Sequence, residues 1–149
     1  MLNTILASFY ERDIRSLIGE VKLFQDEANL WKTYGAIRNS SGNLVLHIIG
    51  GTNYLIGATL ANTGYVRNRD LEFSVKNVPR KELVEGLEKL IPVITGTLNG
   101  YSQEDMDSAF PFDFDGASNS KTYVLVQLLA HLNYHLGQVN YLRRMLEVT

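Results

Sequence analysis

Three histidines carry the chemistry that this sequence offers. His131 and His135 stand four apart in "LLAHLNYHLGQ", and His47 sits in "NLVLHIIGG". Each lies in an apolar run, where a neutral imidazole needs hydrogen-bond partners for both ring nitrogens. Leu, Ile and Val neighbours supply none. A single histidine in such a run is usually a core residue whose partners lie elsewhere in the fold. Two at i and i+4 share one helix face, about 6 Å apart along the axis, and both rings reach a single ion. A metal would satisfy one nitrogen of each ring and a neighbouring acceptor the other. A three-histidine metal site and a set of packed core histidines both stay open on the residues alone.

The chemistry of such a site follows from its ligands. Three neutral imidazoles leave the full charge of a divalent ion in place, and open positions hold water or substrate. The ion would polarise a ligand or lower the pKa of a bound water or thiol. All-nitrogen ligation suits Zn, Ni, Cu or Fe without choosing between them. Leu132 stands where the H-E-x-x-H motif places its general-base glutamate, which disfavours peptide hydrolysis on that plan. No phosphate-binding G-x-x-x-x-G-K-[ST] loop and no G-x-S-x-G elbow occur. "DFDG" is not a calcium loop, because Pro111 and Thr122 would fill its first and twelfth positions. With no cysteine in the chain, disulfides, thiolate ligands and a cysteine nucleophile are all excluded. A thiol taking part in any reaction would come from outside.

The elements that must position these residues are helical. Leu6, Tyr10, Ile14, Leu17, Val21 and Phe24 recur at spacings of four and three, with charged residues between them, which predicts an amphipathic first helix. A connector follows, with Trp31 and Tyr34 expected to pin it to the core. The second helix is predicted to start near Ser40, Ser41 and Asn43 and to run through "LVLHIIGGTNYLIGATLAN". Gly50, Gly51 and Gly57 each cost it about 1 kcal/mol against alanine, and are expected to allow a close approach. "GYVRNRDLEFSVKN" reads as a loop. "VPRKELVEGLEKLIPVITGTLNG" reads as the third helix, with Pro79 in its first turn; it is expected to bury Leu83, Leu87, Leu90, Ile94 and Leu98 and to kink or break at Pro92. "AFPFDFDGASNS" reads as an extended connector with an aromatic face. The fourth helix runs from about Ser120 to the end, with both histidines inside its apolar face. Arg143 and Arg144 oppose its macrodipole. Four long helices with one apolar face each imply an all-α four-helix bundle with long connecting loops.

Composition fits this picture. At 149 residues the chain is expected to form a single domain, residues 1–149. Its net charge of −2 comes without a basic block, so no nucleic-acid partner is expected. The N-terminal segment lacks the basic n-region of a signal peptide. No apolar run is read as approaching the roughly 20 residues that span a bilayer. A soluble cytoplasmic protein without a membrane segment is the simplest expectation.

"NLVLHIIGG", "RNRDLEF" and "LLAHLNYHLGQVNYLRR" together resemble the DinB/YfiT-like superfamily of metal-dependent enzymes, in motif order and spacing, over nearly the whole chain. The resemblance implies a four-helix bundle of unusual helix order, with a divalent metal on His47, His131 and His135. Zn or Ni is the first expectation, with Fe, Mn or Cu as alternatives. It further implies a homodimer and a low-molecular-weight thiol cosubstrate, as in the family's S-transferases and its thiol-dependent maleylpyruvate isomerase. Asn43, one turn before His47, and Gln138, one turn after His135, are each a candidate partner of the ligands or a polar residue bordering the pocket. Tyr134 and Tyr141 read as packing residues. Arg69, Asp70 and Glu72 read as local ion pairing or loop anchoring before catalysis. No side chain is assigned as catalytic. The competing reading is a non-catalytic, metal-braced bundle acting as a stress-related binding or interaction protein.

Overall fold

The computed structural model describes residues 1–147, and among these the architecture is all-α apart from two isolated β-bridges. Helix α1 spans Leu2–Leu23 and buries the predicted stripe from Leu6 to Val21. Phe24, at its C-terminal end, is also buried. Helix α5 spans Arg80–Asn99 and buries Leu83, Leu87, Leu90, Ile94 and Leu98 against it. Each such side chain taken fully out of water contributes roughly 1.5–3 kcal/mol. Tyr10 is buried among them, and its hydroxyl donates to the Leu125 carbonyl at 2.6 Å. Burial raises its pKa well above the usual phenol range.

The site-bearing helices are α2, Ser41–Thr52, and α7, Lys121–Leu146. Serine caps both: Ser40 accepts from the Asn43 amide and Ser120 from the Tyr123 amide. Beyond Thr52 the second helix widens into a π-helical turn, Asn53–Ala58, and closes with a short helix α3, Thr59–Ala61. Asn62 ends it in the left-handed conformation. In the bundle, α1 packs on α5 and α7, and α2 packs on the same two. The helices α1 and α2, consecutive in sequence, therefore sit across the bundle from each other, and the connector between them must cross it.

Four expectations need correction. "RNRDLEF" is not a loop: Arg69–Ser74 forms helix α4, capped by Asn68, whose side chain accepts from the Leu71 amide at 3.3 Å. Six residues are too few for a periodic apolar signal. Pro92 does not break α5, which runs unbroken through it. Pro92 faces solvent, so water can satisfy the carbonyl its ring leaves unpaired. Trp31 packs beside Gly42, but Tyr34 is exposed and pins nothing. The 21-residue stretch Ser41–Ala61 is long and apolar enough to cross a membrane by length and composition alone. It packs on α5 and α7 and carries the buried polar residues Asn43 and His47.

The other connectors follow the reading more closely. Phe110 is buried, with Phe112 and Phe114 grouped around it at centroid distances of 4.9 and 6.4 Å. A short helix α6, Gln103–Asp107, precedes this aromatic segment, held by a capping box between Ser102 and Asp105. Arg143 pairs with Glu20 of α1 at 2.9 Å, a use beyond the helix dipole.

Candidate metal centre

His47 is on α2; His131 and His135 are on α7, one turn apart. All three rings turn their Nε2 atoms toward one point. His47 Nε2 lies 3.3 Å from His131 Nε2, and His135 Nε2 lies 2.9 Å from it. The three candidate ligand atoms all fall within 4.8 Å of one another. Zn–N bonds of 2.0–2.1 Å at tetrahedral angles would set nitrogens about 3.3 Å apart. Three imidazole nitrogens this close have too few protons to separate their lone pairs, and a cation fits that donor set.

Two of the three rings are oriented by an acceptor on the other nitrogen. His47 Nδ1 donates to Glu72 Oε1 at 2.9 Å. His135 Nδ1 donates to Gln138 Oε1 at 2.7 Å. Each bond places the ring proton on Nδ1 and leaves the Nε2 lone pair free toward the centre. His131 Nδ1 has no hydrogen-bond partner among the described residues. The histidines differ in exposure, contrary to the expectation that all three lie within apolar surroundings. His47 is buried, His135 half-buried, and His131 open to solvent.

Glu72 is the anchor of this arrangement. It is buried, and Arg67 holds it through two bonds, Nε to Oε2 and Nη2 to Oε1, both 2.9 Å. Burial alone would raise the Glu72 pKa; the hydrogen bonds from Arg67 and His47 overcome it and hold the carboxyl below its usual range. The His47 pKa is lowered by burial, against the pull of Glu72. Although its edge meets solvent, the His131 ring is desolvated where it packs into the cluster, and this, followed by the charges of His135, His47 and Arg67, brings its pKa down to about 4. Burial also lowers His135, against the Gln138 bond. At neutral pH the cluster therefore offers uncharged, ligating imidazoles.

The Asn43 side chain makes no hydrogen bond to the His47 ring. Its amide donates to the carbonyls of Glu72 at 3.0 Å and Val75 at 2.8 Å, and its oxygen accepts from Ser40 at 2.7 Å and from Lys76. It fastens α4 to α2 and so sets where Glu72 stands. Gln138 touches a candidate ligand directly. Arg69 lies over the Phe73 ring, and Asp70 is exposed in the first turn of α4. Glu72 does take part in local ion pairing, as read from the sequence, but it also meets His47 across 25 positions of chain. Arg67 was not singled out by its spacing. The Gly50–Gly51 pair was the available signal: these glycines leave the room that Glu72 and Arg67 fill.

Two cavities flank the cluster. One, of about 350 Å³, meets His47 and His131 and carries Thr52, Arg69, Asp115 and Gln127 in its wall. The other, of about 470 Å³, meets His135 and Gln138. Both fall in the size range of small-molecule sites, roughly 300–1,000 Å³.

Comparison with solved structures places the fold. A crystal structure of a DinB-like protein from Bacillus cereus ATCC 10987 superposes with a TM-score of 0.72 at 18% identity. The match covers 94% of this chain and 89% of that one. No curated protein matches the sequence. The fold is thus that of a DinB-like protein, as the sequence resemblance implied. Residues 8–149 match the family described as "Protein of unknown function (DUF1572)", and the chain belongs to that family.

Proposed function

We propose that His47, His131 and His135 hold a divalent metal ion, with Zn or Ni as first candidates, and that the protein is a metal-dependent S-transferase using a low-molecular-weight thiol. The observation that carries this reading is the convergence of three Nε2 atoms beside solvent-open His131. When bound there, such an ion supplies Lewis acidity, lowering the pKa of a thiol or water that it meets. The overall reaction balances as R–SH plus R′–X giving R–S–R′ plus HX, with the C–X bond broken and the thiol proton released.

The chain's own residues divide the remaining work. Glu72 and Gln138 hold the ring protons at Nδ1 of His47 and His135, keeping both Nε2 atoms available. The Arg67–Glu72 pair is internally neutral, so the charge at the centre is not cancelled by a free carboxylate. Thr52, Arg69 and Gln127 line the cavity at His131 and are placed to bind polar groups of a thiol. A homodimer in the cytoplasm is the proposed setting, where low-molecular-weight thiols stay reduced.

The test is metal analysis of protein purified without an affinity tag, followed by thiol-conjugation assays of the Zn- and Ni-loaded forms against an electrophile panel. Stoichiometric metal that disappears in each His→Ala variant, with thiol turnover lost alongside, is the expected result. Substoichiometric metal in the unsubstituted protein would overturn the site. A second reading, a metal brace without catalysis, draws on one observation: the cluster joins α2 to α7, with α4 tied in through Glu72. It predicts full metal occupancy, a marked loss of melting temperature on chelation, and no turnover.

A further inference from the structure

The two cavities beside the histidines differ in chemistry. The one at His47 and His131 carries charged groups of both signs, Arg69 and Asp115, with Thr52 and Gln127. The one at His135 is walled mainly by apolar and aromatic side chains, with Arg38, Asn39 and Gln138 as its polar members beside His135. Tyr134, Tyr141 and Met145 rise from α7, Ile37 faces them from the connector, and the buried Leu44 and Leu142 contribute further apolar surface. Tyr134 is 65% and Tyr141 62% exposed, so the expectation that they serve as packing residues fails. Ile37 and Met145 are exposed as well. Four large apolar side chains left in water around one cavity mark a binding surface rather than scattered surface residues.

No acidic side chain lines this second cavity among the described residues, and Arg38 is its one guanidinium. Gln138 and His135 belong to its wall, so an occupant reaches the candidate centre at His135, whereas the charged cavity meets it at His47 and His131. Tyrosine rings offer apolar area with little conformational entropy to lose, and they favour flat aromatic partners.

We propose that this cavity is a subsite for a small, apolar, aromatic molecule, delivered to the histidine cluster from the His135 side while the polar cosubstrate enters beside His131. The class follows from the wall: aromatic and aliphatic around the body, with Arg38 available to an acidic or polar substituent. As a division of labour between two substrates the inference rests on the S-transfer reading. The subsite itself does not.

The experiment titrates metal-free and Zn-loaded protein with 1-naphthol, an uncharged aromatic probe followed by its own fluorescence. Saturable binding is expected in both forms. Tyr141→Ala and Ile37→Ala should each weaken it about tenfold, since a lost aromatic or aliphatic contact of this kind is worth roughly that factor. Gln127→Ala, in the charged cavity, should leave it unchanged. Circular dichroism melts check that each variant folds, which the exposed positions of Tyr141 and Ile37 favour. Absent binding, an equal loss in Gln127→Ala, or sedimentation showing a dimer that Tyr141→Ala dissociates would overturn the proposal. Naphthol binding without thiol turnover supports the subsite and sinks S-transfer. Turnover without naphthol binding overturns the subsite alone.

Discussion

The carboxylate of Glu72 occupies the space that a Cβ on Gly50 would need. Gly50 lies one helical turn beyond His47 on α2, so the absent side chain and the His47–Glu72 bond are parts of one arrangement. A methyl group there must push Glu72 off His47. Gly50→Ala should therefore weaken metal binding by roughly 10–100-fold, the usual cost of removing a partner that orients a ligand. Competition titration against a chromogenic chelator reads this directly. Unchanged affinity would show that Glu72 does not orient His47.

Asn43 acts at one remove. Asn43→Ala removes two donors to the Glu72 and Val75 carbonyls and strands those acceptors at a buried contact. A loss of about 2–3 kcal/mol in unfolding free energy is expected. Metal affinity should fall too, although Asn43 lies off the ligand set. Urea melts and the same chelator titration separate the effects. A variant that loses stability but keeps full affinity would show that α4 stays docked without it.

Acid should destabilise the metal-free protein through the histidines. The folded pKa of His131 is about 4 against an ordinary value of 6.5. Between those values the unfolded chain binds more protons than the folded one, so stability rises with pH. It should be fully present above about 6.5, fall as the pH drops towards 4, and change little further through this group below that. The lowered pKa values of His47 and His135 act in the same direction. Melting temperatures across this range are the measurement, and His131→Ala should flatten the slope. Metal affinity should decline with acid as well, because protons compete for the same nitrogens.

Chelation tests what the ion holds together. A ligand present at 100 times its dissociation constant stabilises by about 2.7 kcal/mol. Removing metal should lower the melting temperature accordingly, and His47→Ala should abolish the difference between loaded and chelated protein. Hydrogen exchange on α2 and the following π-helical turn should quicken more than exchange on α1 or α5, which carry no candidate ligand. Uniform quickening would count against a local site.

Much of this was legible in the chain. The period of Leu83, Leu87, Leu90, Ile94 and Leu98 specifies a buried face wherever its partner lies, and Ser120 announces the start of α7 through a local hydrogen bond. His131 and His135 are related by the helix itself, so their convergence needs no tertiary knowledge. Glu72 and Arg67 are different. Their role depends on α4 docking beside Gly50, and no local pattern specifies a contact 25 positions away. Exposure was also hidden: His131, Tyr134 and Tyr141 lie within or beside an apolar run, but α7 turns them toward water. A wide apolar stripe does not say which edge stays uncovered.

The π-helical turn at Asn53–Ala58 sets a phase relation along the second helix. A wide turn adds residues without adding rotation, so everything beyond it is offset from the His47 face. Wound as regular α-helix with the same number of residues, the segment would swing the departing chain by about 100° around the axis, whereas deleting one residue there would restore the regular repeat and leave that chain in place. Arg67 leaves on that chain, five positions after the left-handed Asn62. The turn thus works as a phase adjuster: it lets a helix that aims one side chain at the centre also return its own downstream segment to brace that side chain from behind.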